Sequence, residues 1–410
     1  MYADASTTML TGTNLVYTKQ YNLRIVHDVV RRFGPLSRAD IAQRTGLTVQ
    51  TISNLVKELV TLGLVLESDR RRQRRGAPSS AIGIYPDGAF ALGLDLDRDH
   101  LTGVLVDLAG SVRQRDHVEL DFPTPAQALD LMVETAESLM AAQGLTPEEV
   151  SGVGVGVPGP MHRAEDGQGY VVNPKSFPGW HDVPLAAWLH ERVGIPVLLE
   201  NNATAAAIGE RLYGAGQQFR TFFYVYIGSG LGGGVVIDRQ AYTGFTGNAG
   251  EIGYLPTVLS GDPIGADETP HVGTHFRLPR LYQLLRSEGR DVRTPDDLDR
   301  LLSEGHATLL EWMDDAADHL TGLVLAVEYV IDPEAIFFGG RLPERVIAGL
   351  LERVARHLPT RRIQEKLAGP RYLLATAGAD AAALGVATLP IYEAFAPAPQ
   401  VLLKKAAARV

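Results

Sequence analysis

The chain has 410 residues, a formal charge of −10, 45% hydrophobic and 21% charged residues, and no cysteine. At roughly 150 residues per domain this length predicts two or three domains with a sizeable core, and the composition excludes a disordered chain. No apolar run approaches the ~18 residues of a membrane span, and the lack of cysteine excludes disulfides, thiolate catalysis and every cysteine-based zinc site.

The charge is unevenly spread. Residues 1–90 hold 12 Lys and Arg against 7 Asp and Glu, a balance of +5, whereas the remaining 320 residues hold 26 against 41, a balance of −15. A small basic module on an acidic body suits one part that meets phosphates and another that does not. Met1 to Asn14 has no basic region followed by an apolar stretch, so no secretory signal is expected and the chain reads as cytoplasmic, with no membrane partner.

In chain order, Leu23, Val26, Val29 and Val30 recur at helical spacing within 21–32, and Gly34-Pro35 ends the run. Ser37-Arg38-Ala39-Asp40 has the form of a capping box with Asp in place of Glu; it opens a short helix that Gly46 closes, and Thr48 caps the next. In that third helix Ile52, Leu55, Val56 and Leu59 form one apolar stripe, leaving Gln50, Ser53, Asn54 and Lys57 on the opposite face. Short polar side chains on such a face can bond base edges or phosphates in a major groove, Gln and Asn suiting adenine; the alternative is the solvated face of an ordinary three-helix bundle. Two short strands, 64–67 and 80–84, then flank a loop with five arginines in the six residues 70–75. Their mutual repulsion is relieved when duplex phosphates replace the like-charged neighbours, so the loop reads as a wing on DNA, with Arg74 and Arg75 able to enter a minor groove. The expected DNA-contacting set is Ser37, Arg38, Gln50, Thr51, Ser53, Asn54, Lys57, Arg74 and Arg75, within a winged helix-turn-helix spanning 1–85.

From Ala89 onward three runs, two of them strongly apolar, read as consecutive antiparallel strands, followed by helices and strands in alternation to about residue 200. A second series starts with a helix at 203–213, two strands at 222–227 and 233–237, and several helices in 278–358. The pattern predicts two related lobes around a cleft.

Five segments carry a family resemblance, in order between residues 154 and 340: Gly154-Val155-Gly156-Val157-Pro158-Gly159, Glu200-Asn201-Asn202-Ala203, Ile227-Gly228-Ser229-Gly230-Leu231-Gly232-Gly233-Gly234, Glu251-Ile252-Gly253-Tyr254, and Pro333 to Gly340. With them the chain resembles the ROK family of repressors, uncharacterised reading frames and sugar kinases, in its regulator branch. The resemblance implies a two-lobed actin/hexokinase-like (ribonuclease H-like) α/β sensor domain. Its first lobe would be 86–200, completed by a C-terminal helix at 378–398, and its second 201–377.

Three departures argue against kinase chemistry. The first phosphate loop, where the family's kinases have Asp followed by Gly-Gly-Thr, reads Asp95-Leu96-Asp97-Arg98-Asp99, whose side chains block backbone approach to phosphates. Asn202 stands where those kinases carry the Asp that takes the sugar hydroxyl's proton, and an amide cannot act as that base. Tyr254 replaces a His that contacts sugar and ligates zinc, and the accompanying cysteines are missing; His271 and His275 lie in that stretch, but a metal would need further ligands. The expectation is therefore no catalytic residue, cofactor or metal.

What the resemblance leaves is a sugar site of Gly159, Asn173, Asn201, Asn202, Glu251 and Tyr254, with Tyr254 or Trp180 covering an apolar sugar face. Asn201 and Asn202 could instead merely cap a helix. The implied function is a sugar-responsive repressor on double-stranded operator DNA, as a homodimer or homotetramer in which a helix such as 309–330 buries an interface. The competing readings are a bifunctional sugar kinase and a regulator answering to a protein or a phosphosugar.

Overall fold

The computed structural model describes residues 15–68, 80–164, 169–174, 177, 179–256, 271–365 and 369–395. Helices α1 (Leu15–Phe33), α2 (Arg38–Thr45) and α3 (Val49–Thr61) precede the antiparallel strands β1 (Val65–Ser68) and β2 (Ala81–Ile84). Ser37 and Asp40 form the capping box, Gly46 ends α2 in the left-handed conformation, and Thr48 caps α3. Ile52, Leu55, Val56 and Leu59 are buried, and Leu36 bridges to Ile82 so that the start of α2 is tied to the wing.

The next elements are β3 (Phe90–Leu96), β4 (His100–Asp107), β5 (Val112–Glu119), α4 (Pro125–Ala141), β6 (Val150–Val157), the small pair β7 (Met161–Arg163) and β8 (Tyr170–Val172), α5 (Leu185–Val193) and β9 (Val197–Asn201). They build a sheet ordered β5-β4-β3-β6-β9, antiparallel through its first three strands and parallel through its last two. After α6 (Asn202–Tyr213) come β10 (Phe222–Ile227), β11 (Leu231–Ile237), β12 (Gln240–Ala241), α7 (Leu278–Ser287), α8 (Pro295–Glu304), α9 (Ala307–Ile331), β13 (Ala335–Gly340), α10 (Glu344–Arg361), β14 (Arg371–Leu374) and α11 (Ala381–Phe395). The second sheet runs β12-β11-β10-β13-β14 with the same alternation of directions. Numbered within each lobe, both sheets read 3-2-1-4-5, an internal duplication that sequence identity does not reveal.

Helices α6 and α11 pack against each other between the two sheets. They touch through backbone: a Cβ added at Gly385 would lie 1.8 Å from the Ala205 carbonyl oxygen, and one at Gly154 in β6 would lie 1.9 Å from that of Val386. The first glycine of the Gly154-Val155-Gly156 segment thus seats α11 against the first sheet. The same helix links the modules, because the winged-helix core around Val26, Ile52 and Leu59 is continuous with Ala91, Val104, Leu384 and Ile391 of the body. Arg24 Nη1 also donates to the Glu393 carbonyl at 3.0 Å.

Two expectations are corrected. Trp180 is 1% exposed and donates from Nε1 to the Pro123 carbonyl at 2.9 Å, so it belongs to the first-lobe core and covers no ligand. The 309–330 stretch lies in α9, whose Leu309, Met313, Leu320 and Val324 are fully buried in the second-lobe core, so these apolar residues are not free to bury an interface, while Tyr329 and Val330 at its end are exposed. A helix that is apolar on most of its circumference is a core helix.

Candidate functional site

Between the lobes, the turn after β6, the β9–α6 junction and the segment after β12 converge. A Cβ on Gly159 would sit 1.9 Å from Glu251 Oε1 and 2.9 Å from Asn201 Nδ2, so only glycine admits that carboxylate and amide side by side. Asn201 does two things at once: its Oδ1 accepts from the Ala203 and Thr204 amides at 2.9 and 3.3 Å, capping α6, while its Nδ2 donates to Glu251 Oε1 at 3.0 Å. Capping and site geometry are therefore one arrangement. Asn202, buried in the first turn of α6, and Asp95 of β3 both approach Gly156.

Burial raises the pKa of Glu251 to about 7 against the opposing pull of the Arg98 charge, and burial also raises Glu200 to about 7 although its Oε1 accepts from the Asn201 amide at 2.8 Å. Asn173 stands one step away. Its amide donates to the Pro160 carbonyl at 3.0 Å and its side chain pairs with Asp182, Nδ2 to Oδ1 and Asp182 amide to Oδ1 both at 2.6 Å, so it braces the Gly159-Pro160 turn. Tyr254 is 40% exposed at the rim, its ring centroid 5.4 Å from that of His271, and His271 Nδ1 is 2.7 Å from the Gly253 carbonyl oxygen. Across the cleft Asn248 holds Met161 by both backbone groups, at 2.8 and 2.6 Å.

The first turn of each lobe is engaged by side chains of the chain itself. In the turn from β3 to β4, His100 is 1% exposed with Nδ1 2.8 Å from Asp99 and Nε2 3.4 Å from Asp95. Burial disfavours its imidazolium, yet the two carboxylates outweigh that and lift its pKa to about 10. The turn from β10 to β11 keeps its glycines, but Ser229 Oγ donates to Asp97 at 2.6 Å and the Ser229 carbonyl accepts from Arg98 at 3.1 Å. Beyond Gly340, Arg341 donates to Glu119 of β5 at 3.1 Å, joining the lobes a second time. Arg98, Ser229 and Arg341 escaped the sequence reading because their partners lie more than a hundred residues away.

On the winged helix, Gln50, Asn54 and Lys57 are exposed along α3 and Thr51 and Ser53 are half-buried beside them. Gln50 Nε2 lies 3.4 Å from Asn54 Oδ1, and Ser53 Oγ donates back to the Val49 carbonyl at 2.9 Å. Ser37 Oγ is engaged in its cap, and Arg38 donates to Ser80 at 2.9 Å and to the Glu67 carboxylate, clamping α2 to the wing strands. Arg74 and Arg75 lie outside the described residues.

Residues 91–392 match the ROK family. The chain belongs to that family. Residues 28–76, from mid-α1 into the wing, match the MarR family, so the ROK body carries a winged helix-turn-helix at its N-terminal side. The xylose repressor of Bacillus spizizenii is 28% identical over 245 residues, which span 60% of this chain and 62% of that one. Among solved structures, a ROK family transcriptional regulator described as a homologue of the E. coli MLC protein superposes with a TM-score of 0.70 at 20% identity, covering 92% of this chain and all of that one. A ROK family glucokinase from Streptomyces griseus, in complex with glucose and AMPPNP, superposes with a TM-score of 0.61 at 23% identity over 73% of this chain and 99% of that one. At these identities the structures establish the fold that regulator and kinase share. No helix among the described residues is long and apolar enough to cross a membrane.

Proposed function

We propose that this ROK protein is a sugar-responsive transcription repressor without kinase activity. The observation that carries the reading is a contrast between two places in the cleft: Asp97 and Arg98 engage the Ser229 hairpin, while Gly159, Asn201 and Glu251 form a polar cluster between the lobes and a winged helix is attached through a continuous core. The likeness to a xylose repressor and to a ROK family transcriptional regulator supports it.

In this reading Glu251 accepts hydroxyl hydrogen bonds from the sugar, Asn201 and Asn202 donate or accept, Tyr254 covers one face from the rim, and Asn173 keeps the Gly159-Pro160 turn in register. An occupant competing for Glu251 Oε1 disturbs the Asn201 cap at the start of α6, and α6 packs along α11, which carries the winged helix. The population then shifts away from the DNA-competent arrangement. At the DNA, Gln50 and Asn54 read adenine edges, Thr51, Ser53 and Lys57 meet phosphates or neighbouring bases, and Arg74 and Arg75 extend into a minor groove. Ser37 and Arg38 set the angle of α2 against the wing. A homodimer would place two such modules on a two-part operator.

Phosphorylation is tested by incubating the chain with ATP and a panel of hexoses and pentoses, beside Asn202→Asp. The reading requires no sugar phosphate from either, because restoring a base leaves the hairpin plugged; sugar phosphate from the unaltered chain would overturn it.

A further inference from the structure

We propose that His275, Asp315 and His319 form a binding site for a borderline divalent transition-metal ion of the zinc or nickel class. His275 lies in a short helical turn, Val272–Phe276, and the other two ligands project from α9 at i and i+4, the spacing that stacks side chains on one helix face. One ligand atom from each of the three lies within 4.8 Å of the others. Asp315 bridges the pair, with Oδ2 2.9 Å from His275 Nδ1 and Oδ1 3.7 Å from His319 Nε2, and the two imidazole centroids are 3.5 Å apart.

The backbone beneath the cluster is fixed. Trp312 Nε1 donates to the His275 carbonyl at 2.9 Å, and the fully buried Phe276 meets the Trp312 ring edge-on at 6.3 Å. The three side chains themselves are reached by solvent, so an ion can enter. Two imidazole nitrogens and one carboxylate oxygen are a donor set for zinc, nickel, cobalt or copper; magnesium and calcium prefer all-oxygen shells, and no thiolate is present. Three protein ligands leave the remaining positions to water.

The sequence grouped His271 with His275, but the fold separates them: His271 turns to Gly253 and the Tyr254 ring, His275 turns to α9 and gains the two further ligands the sequence could not supply. An ion here would pin the Val272–Phe276 turn to α9. The proposal does not depend on the sugar reading.

The test uses the full chain, freed of any affinity tag and dialysed against chelator, titrated calorimetrically with zinc chloride and, separately, with cobalt chloride followed by visible absorption. The expected result is one saturable equivalent per chain, a cobalt spectrum of nitrogen and oxygen ligation, and a rise in thermal midpoint with metal. His275→Gln and His319→Ala should each weaken binding at least roughly 100-fold, since loss of even outer-shell partners costs about 10- to 100-fold. Asp315→Asn, an exposed and nearly isosteric change, should do the same and stands in for a histidine variant that fails to fold, and His181→Ala should change nothing. Absence of a saturable equivalent, or binding that survives His275→Gln and Asp315→Asn, overturns the proposal.

Discussion

The turns between the first two strands of each lobe occupy the same place in a duplicated topology yet are built in opposite ways. The β10–β11 turn, Gly228-Ser229-Gly230, is bare and backbone-rich, whereas the β3–β4 turn, Asp97-Arg98-Asp99, is crowded with charge and anchored by the buried His100 between Asp95 and Asp99. The second turn fills the first: Asp97 and Arg98 grip Ser229 from across the cleft. A glycine-rich turn is therefore not open space by virtue of its glycines, because its partner turn reaches into it.

Breaking the charged turn should have the largest effect. His100→Ala strands two acidic groups that share one buried cation, and removing one member of a buried ion pair costs about 3–5 kcal/mol, read as a fall in chemical denaturation midpoint. The same group predicts a pH response. His100 has its pKa raised from 6.5 to about 10 in the folded chain, so its contribution is complete below pH 6.5 and is lost as pH rises toward 10. His100→Ala should flatten that alkaline loss. A variant with undiminished alkaline sensitivity would remove His100 from the account.

Glu251→Gln comes next, with a loss of sugar affinity of about 10- to 100-fold, the weight of one or two hydrogen bonds to a charged acceptor at about 1.5–3 kcal/mol. Because burial raises Glu251 to about 7, and ionised carboxylate is the form that accepts hydroxyl hydrogen bonds, sugar affinity of the unaltered chain should rise as pH increases through 7. Calorimetric titrations at pH 6 and pH 8 check it, and a flat profile would count against Glu251 as ligand. The smallest change is Ser229→Ala. Deleting one hydroxyl bond to Asp97 costs roughly 1–2 kcal/mol and loosens the lobes without restoring nucleotide binding. Measurable ATP affinity in that variant would mean that Arg98 does not block the hairpin.

Much of the winged helix was legible because its information is local: an apolar stripe, a capping box and two caps each act within a few residues. The body's strand sequence was legible for the same reason, and its glycine segments placed Gly159, Asn201, Asn202 and Glu251 close to where they meet. What escaped depends on long-range pairing. Arg38 is basic and opens a helix, and nothing local to it announces the contacts with Glu67 and Ser80 that tie α2 to the wing strands. Trp180 sits in a polar stretch but is drawn into the core by Phe177, 5.2 Å away, and by the Pro123 carbonyl. The Arg98–Ser229 contact spans 131 residues, and nothing local to either announces it.

The most direct test of the account is the operator affinity of the chain, measured by fluorescence anisotropy on a duplex selected by the protein from a random pool, as a function of added pentoses and hexoses. At least one neutral sugar should weaken DNA binding by the unaltered chain, and the same sugar should leave Glu251→Gln on its operator at those concentrations. If no sugar alters DNA affinity, or if the Glu251→Gln variant responds as the unaltered chain does, the cleft is not the sensor.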